Sequence, residues 1–185
     1  MRKVFLFMMT SLDGFFEGPN HELDWHNVDK EFVDFAINQL KEIDAILFGR
    51  VTYQMMAGFW PTKEAKSSDP VTAGFMNKLP KFVFSRTLNS AEWNNTTLVS
   101  GDAAEKVREL KSENGKSIAI FGSSDLTVSL IENGLVDEIR IMVNPMVLGR
   151  GKQLFKGISN RMKFALVSAK TFNSGNVLLC YKPMQ

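Results

Sequence analysis

Three short stretches that could bind an anion each follow an apolar run of the sequence. The first holds Gly49, Arg50, Val51 and Thr52, the second Ser85 and Arg86, and the third Gly122, Ser123 and Ser124 with Leu126. Guanidinium groups, hydroxyl groups and the free N–H groups of a helix N-terminus all hydrogen-bond to phosphate oxygens. Ligands of open α/β sheets bind at the carboxyl ends of strands. Together the stretches predict one long anionic ligand at that edge of a sheet, and a phosphorylated dinucleotide fits.

Each stretch also has a purely structural interpretation. Arg50 can form a surface ion pair, Ser85 and Arg86 can form an ordinary turn, and Ser123 can be a helix N-cap. The hydroxyl and guanidinium groups of the second stretch suit a terminal phosphomonoester, such as the adenosine 2′-phosphate of NADPH. The sequence has no GxGxxG motif, so we do not expect a regular Rossmann domain.

Acidic residues at the start of the first predicted helix could deliver a proton to a substrate. Asp29 sits where a helix cap is expected, and Asp34 follows within the helix, directly before Phe35. The spacing aims Asp34 at the cleft beside Met9 and Trp25, so we predict Asp34 as the catalytic acid ahead of Asp29, with water as the alternative.

Strand and helix patterns alternate along most of the chain. Strands are predicted over residues 4–10, 45–48, 81–84, 96–100, 117–121, 138–143, 162–172 and 175–181. Helices are predicted over about 29–43, 51–59, 71–77, 103–111 and 124–132, and residues 15–27, 62–70 and 144–157 are predicted as loops. This order predicts a single α/β domain over residues 1–185, with a mostly parallel mixed sheet, helices on both faces and an antiparallel C-terminal hairpin.

Composition excludes several classes of partner. The 185 residues are 44% hydrophobic and carry a net charge of only +2, which gives no reason to expect nucleic acid or an anionic membrane. The apolar runs are far shorter than the roughly 20 residues that cross a bilayer. Cys180 is the only cysteine, which favours a reducing cytoplasm, and His21 and His26 lack the spacing of a metal site.

The ordered pieces resemble the dihydrofolate reductase-like superfamily, and more closely its RibD C-terminal type, the reductase domain of bacterial riboflavin biosynthesis. The matching pieces are residues 10–14, 44–53, 84–86, 121–124 with Leu126, 134–138 and 145–155. They run in family order over nearly the whole chain. The resemblance implies a dihydrofolate reductase-like three-layer fold that binds NADPH.

The same resemblance implies a role for each candidate residue. Arg50 and Thr52 would hold the phosphates, Ser85 and Arg86 the 2′-phosphate, and Gly122, Ser123 and Ser124 the pyrophosphate. Gly49, Val51, Phe121 and Leu126 would complete the cofactor site, and Met9 would line the nicotinamide. Asp13 and Trp25 would contact the substrate, and no metal is expected.

The function implied is an NADPH-dependent reductase of a small heterocyclic substrate, similar to 5-amino-6-(5-phosphoribosylamino)uracil reductase. A non-catalytic nucleotide-binding module is one alternative. A dihydrofolate or pteridine reductase is another, in which an acidic residue near the start of the first helix anchors the pteridine. The zinc-dependent deaminase half of many riboflavin reductases is excluded by the single cysteine. Related riboflavin reductases are dimers, so we expect a homodimer formed through the C-terminal strands.

Overall fold

The computed structural model describes residues 1–184. Its strands are β1 (Val4–Thr10), β2 (Phe15–Glu17), β3 (Ile43–Gly49), β4 (Lys81–Phe84), β5 (Thr96–Val99), β6 (Ser117–Phe121), β7 (Glu138–Val143), β8 (Lys152–Gln153), β9 (Phe164–Thr171) and β10 (Val177–Pro183). Its helices are α1 (Lys30–Glu42), α2 (Arg50–Phe59), α3 (Lys63–Ser68), α4 (Pro70–Lys78), α5 (Ala103–Ser112) and α6 (Ser124–Glu132).

Eight strands form one mixed sheet in the order β5-β4-β3-β6-β1-β7-β10-β9. β1 pairs in parallel with both β6 and β7, so that Phe7 lies beside Phe121 on one side and Arg140 on the other. β10 is antiparallel to β7 and to β9. The predicted fold class is therefore confirmed. Because parallel strands end at the same edge, the residues that follow β1, β3, β4 and β6 meet there.

Side chains of β1 alternate between two hydrophobic cores, as the two-residue period of a strand requires. Val4, Leu6 and Met8 belong to the core that contains the apolar faces of α5 and α6. Phe5 belongs to the opposite core, with residues of α1, α2 and α4. Both faces of the sheet are thus covered by helices, and this explains why the run from residue 4 to residue 9 is continuously apolar.

Three short elements lie in segments that the sequence predicts as loops. β2 and β8 form a separate antiparallel pair, and α3 is a six-residue helix capped by the hydroxyl of Thr62. The loop predictions for residues 15–27, 62–70 and 144–157 are wrong in these places. Elements of two to six residues are too short to show a period, and β2 and β8 are paired only through the tertiary structure.

Among residues 1–184, no helix has both the length and the apolar character needed to span a bilayer.

Candidate functional site

Two helices begin side by side at the carboxyl edge of the sheet. β3 and β6 are neighbours, and α2 and α6 follow them directly. The Gly49 N–H donates to Ser123 Oγ at 2.7 Å, and the Ser123 N–H donates to Thr52 Oγ1 at 3.1 Å. These two hydrogen bonds join the N-termini of α2 and α6, so the predicted first and third stretches lie in contact.

The N-termini of α2 and α6 lack the side-chain caps found elsewhere in residues 1–184. Asp29, Thr62, Asp69 and Asp102 each accept a hydrogen bond from the first turn of α1, α3, α4 and α5, respectively. α2 and α6 have no such bond, since Gly49 has no side chain and the Ser123 hydroxyl accepts from Gly49 instead. Two sets of N–H groups, each at the positive end of a helix dipole, are left for an anion. We refer to this arrangement as the cradle.

The backbone of the cradle is held in a conformation that glycine adopts readily. Gly122 and Ser123 have φ values of 69° and 62°, both in the left-handed region. A Cβ built on Gly122 would lie 3.1 Å from Thr52 Cγ2, so a side chain there would be both strained and crowded. The unusual conformation of Ser123 turns its hydroxyl toward β3 rather than toward its own helix.

Arg50 is the first residue of α2 and is exposed. A cation at this end opposes the helix dipole, which costs about 0.3–1 kcal/mol unless an anion is bound. Its guanidinium donates to Gln54 Oε1 at 3.0 Å. The next residue of α2, Val51, is 49% exposed. In the first turn of α6, by contrast, Ser124 and Leu126 are buried. Arg50 is thus placed at the cradle, as the sequence predicts.

The second stretch follows β4, which is the neighbour of β3 in the sheet. Ser85 Oγ accepts hydrogen bonds from the N–H groups of Thr87 and Leu88, at 3.1 and 3.0 Å. Ser85 therefore shapes its own turn, in keeping with the structural alternative, and Arg86 projects beside it as an exposed side chain.

A cavity of about 360 Å³ adjoins the cradle, with Thr52 and Gly122 in its wall. Its volume lies at the small end of the roughly 300–1,000 Å³ of ligand pockets. The wall includes five methionines, namely Met8, Met9, Met55, Met56 and Met76, and five aromatic residues, namely Phe7, Phe16, Phe32, Trp60 and Phe121. Met9 and Phe121, which the sequence assigns to the cofactor site, therefore both line this apolar cavity.

Few polar side chains reach this cavity. His26 Nε2 and Thr72 Oγ1 are both buried and have no hydrogen-bond partner. Burial lowers the pKa of His26 from 6.5 to about 4, so its imidazole is neutral near pH 7. Glu17 and Asp69 contribute the carboxyl groups of the wall, and no lysine or arginine of residues 1–184 is part of it.

The prediction that Asp34 points into the cleft is wrong. Its carboxylate is exposed and pairs with Lys30 one turn earlier, at 2.7 Å, and the residue is not part of the cavity wall. Asp29 Oδ1 accepts from the Phe32 N–H at 2.8 Å and caps α1, so its carboxylate is also committed outside the cavity. α1 turns Phe32, Val33 and other uncharged side chains toward the cavity instead. Neither predicted acid is placed to donate a proton.

Asp13, which is predicted to contact the substrate, is hydrogen-bonded within the loops outside the cavity. Its carboxylate accepts from Ser11 Oγ at 2.6 Å and from the N–H groups of Leu148 and Gly149 at 3.1 and 2.7 Å. These hydrogen bonds, the one from Ser11 foremost, hold the pKa of Asp13 below its usual value. Asp13 therefore fastens the segment after β7 to the end of β1, and it is not part of the cavity wall.

Trp25 is not part of the cavity wall either. Its indole N–H donates to the Glu22 carbonyl at 3.0 Å, and its ring packs edge-on against His26 with a centroid separation of 4.5 Å. The tryptophan thus supports the histidine that does line the cavity. Sequence reasoning missed His26, Thr72 and Asp69 as site residues because the tertiary structure, and no local motif, brings them together.

No group of three or more His, Cys, Asp or Glu side chains within residues 1–184 is arranged to hold a metal ion.

Residues 2–178 match the family described as the RibD C-terminal domain. The chain belongs to this family. It is also 36% identical over 182 residues to the uncharacterized protein YyaP of Bacillus subtilis (strain 168), a match that covers 97% of this chain and 94% of that protein.

Solved structures share the fold at low sequence identity. The structure of a putative riboflavin biosynthesis protein from Shewanella sp. PV-4 has a TM-score of 0.76 and 23% identity, covering 99% of both chains. A bifunctional diaminohydroxyphosphoribosylaminopyrimidine deaminase and 5-amino-6-(5-phosphoribosylamino)uracil reductase from Thermotoga maritima has a TM-score of 0.71 and 16% identity, over 99% of this chain and 57% of that one. Dihydrofolate reductase from Enterococcus faecalis, complexed with NADP(H), has a TM-score of 0.64 and 14% identity, over 99% and 97%. These likenesses confirm the dihydrofolate reductase-like fold.

Proposed function

We propose that this RibD C-terminal domain protein is an NADPH-dependent reductase of a small heterocyclic substrate. The observation that carries the proposal is the cradle, where two uncapped helix N-termini are joined by the Gly49–Ser123 hydrogen bond beside an apolar cavity. Membership of the family and the reductases among the similar structures support the same conclusion.

The residues of the carboxyl edge fit a phosphorylated dinucleotide. The N–H groups of the cradle and the Arg50 guanidinium would hold the pyrophosphate, because they supply donors and positive charge at one place. Ser85 and Arg86, which follow β4 beside the end of β3, would bind the 2′-phosphate. Met9 and Phe121 would pack against the nicotinamide at the cavity wall. When bound, NADPH would supply a hydride to a C=N or C=O bond, whose second atom takes up a proton while NADP⁺ is left.

The protein itself would position the substrate. The apolar wall would displace water from the substrate ring and strengthen the few polar interactions available inside. Since Asp34 and Asp29 are engaged elsewhere, we assign the proton to water.

The two alternatives receive less support from the cavity. A non-catalytic nucleotide-binding module has no need of a second chamber beside the phosphate-binding edge. A pteridine reductase needs the acidic anchor on the first helix that the resemblance implies. α1 brings no carboxylate to the cavity wall, where its polar contribution is Gln39.

Replacing Gly49 by aspartate separates a binding role from a structural one. A Cβ on Gly49 makes only ordinary contacts, at 3.5 Å to Ser123, and its φ of −79° suits any residue. Aspartate is a good N-cap, so Gly49→Asp should leave the melting temperature unchanged or raise it. Its carboxylate would repel the pyrophosphate, and we expect NADPH affinity in isothermal titration to fall roughly 10²-fold.

The control is Gly74→Asp, which adds the same charge at an exposed glycine of α4 with no heavy atom within 4 Å of its Cβ position. We expect this variant to bind NADPH like the unmodified protein. Unchanged NADPH affinity in Gly49→Asp would mean that the cradle does not bind the cofactor.

A further inference from the structure

The charged side chains of the cavity wall determine which charge a bound substrate can carry. Its ionisable side chains are Glu17, His26 and Asp69, so a bound ligand meets carboxylates and a neutral imidazole but no basic group. Glu17 is only 12% exposed and lies 3.1 Å from His21, while Asp69 accepts from the Thr72 N–H at 3.0 Å. An anionic ligand placed among them would lose hydration without gaining an opposite charge, which is strongly unfavourable.

One lysine does approach the cavity from outside. Lys152 Nζ lies 5.6 Å from the centroid of the Phe16 ring, and it is 3.6 Å from Asp125 in the first turn of α6. This pairing places the lysine charge on the cradle side of Phe16. Lys152 is not part of the cavity wall, so it does not compensate for the absence of basic side chains inside.

Two polar side chains of the wall do not present their polar atoms to a ligand. Thr72 Oγ1 and His26 Nε2 are inaccessible to solvent and have no hydrogen-bond partner among residues 1–184. Thr72 and His26 therefore line the cavity with their carbon atoms, and the surface that a ligand meets is largely apolar.

We propose that the substrate is a neutral, unphosphorylated and largely apolar ring compound, which the apolar wall of this cavity binds and its carboxylates select against anions. This deepens, and rests on, the proposed reductase function. It departs from the phosphorylated pyrimidine named for the Thermotoga protein. The five methionines fit this class, because unbranched thioether side chains adapt to flat rings of differing outline.

The test compares two ring compounds that differ by one charge. Quinoxalin-2-one is a neutral fused ring with amide and C=N groups, and its 6-carboxylate derivative keeps the ring and adds an anion. Isothermal titration without NADPH should show the neutral compound binding at least roughly tenfold more tightly than the carboxylate. Failure of the neutral compound to bind, or equal binding of the two, would overturn the inference.

The charge of the wall is tested by Asp69→Asn, which preserves an N-cap for α4. This variant should narrow the preference for the neutral compound over the carboxylate by about threefold or more. If Asp69→Asn leaves the ratio of the two affinities unchanged, the carboxylates of the wall do not exclude anions. NADPH titrations of the same proteins distinguish failure of the proposed reductase function from failure of the proposed substrate class. A protein that binds the neutral ring but not NADPH would disprove the reductase function alone.

Discussion

At Ser123 a side chain that would ordinarily cap its own helix is used to fix the neighbouring one. The sequence presents Ser123 after a glycine at the end of an apolar run, which is enough to predict an anion site. It does not show that the hydroxyl accepts from Gly49, because that contact joins residues 74 positions apart. The residue type was thus predictable, whereas the reason why α6 lacks a cap required the tertiary structure.

Asp34 illustrates how a residue can be assigned to the wrong face. Its position next to Phe35 suggested the cleft, but Lys30 lies four residues earlier, and opposite charges at this spacing are typical of an exposed helix face. That signal was present in the sequence and favours solvent. His26 and Thr72 offered no comparable signal, since only the tertiary structure places them in the cavity wall.

The histidine gives a prediction about pH and stability. The pKa of His26 is about 4 in the folded protein and about 6.5 when unfolded, so the unfolded chain binds more protons between these values. The free energy of unfolding should therefore fall as the pH drops from 6.5 toward 4, by at most roughly 3 kcal/mol from this group. In urea titrations over this pH range, the free energy of unfolding of His26→Phe should lack the part of the fall that comes from His26.

The second histidine supplies the matched control. The side chain of His21 is 68% exposed, and His21→Gln should retain the acid-induced loss that His26→Phe lacks. Identical pH profiles for His26→Phe and the unmodified protein would show that His26 is not kept neutral by burial.

The helices and strands differ in how far their sequence reveals them. α5 was predicted over residues 103–111, and Asp102, which directly precedes it, is a typical N-cap residue whose Oδ1 accepts from the Ala104 N–H at 2.7 Å. β1 was predicted because residues 4–9 are continuously apolar, as in a strand that is buried on both faces. β2, α3 and β8 were missed because they are short, and β2 and β8 pair only after residues 15–17 and 152–153 are brought together by the fold.

Lys81 of β4 is a fully buried cation whose side chain caps the C-terminus of α4. Its Nζ donates to the carbonyl groups of Met76 and Leu79 at 2.9 and 2.7 Å and lies 4.5 Å from the Trp93 ring centroid. Burial lowers its pKa from 10.5 to about 8, which leaves it protonated at pH 7. Lys81→Met should lower the free energy of unfolding by about 2–4 kcal/mol, because the carbonyl groups lose their donor.

Urea unfolding at pH 7 measures this effect, with Lys78→Met on the exposed side of the same helix as the control. Lys78→Met should remain within about 0.5 kcal/mol of the unmodified protein. An equally small effect for Lys81→Met would mean that packing alone ends α4.

At the scale of the whole molecule, β9 leaves one edge of the sheet open. Leu166 and Val167 of this strand are 58% and 53% exposed, and exposed apolar edges usually need a covering partner. We predict a homodimer formed through the C-terminal strands. Light scattering should give twice the chain mass at micromolar concentration, and Leu166→Lys should shift the mass toward the monomer, whereas Thr97→Lys on the opposite edge strand should not. A monomer mass for the unmodified protein would contradict the dimer.

The order of the strands explains how distant stretches form one site. β3, β4 and β6 lie together in the sheet, although α2, α3 and α4 separate β3 from β4 along the chain, and β5 and α5 separate β4 from β6. The alternating pattern predicted the parallel sheet and its ligand-binding edge. The cavity depends on how α1, α2 and α4 pack over that sheet, and no local pattern specifies its wall.

The most direct test of the proposed function is a titration of the unmodified protein with NADPH and with NADH in an isothermal calorimeter. We expect one NADPH site per chain and at least about tenfold weaker binding of NADH, since a charge-assisted hydrogen bond contributes roughly 1.5–3 kcal/mol. Arg86→Met should remove most of that preference, and Arg108→Met on α5 should leave it intact. Absence of saturable NADPH binding would contradict the proposed function, and equal affinity for the two cofactors would contradict the assignment of Ser85 and Arg86 to the 2′-phosphate.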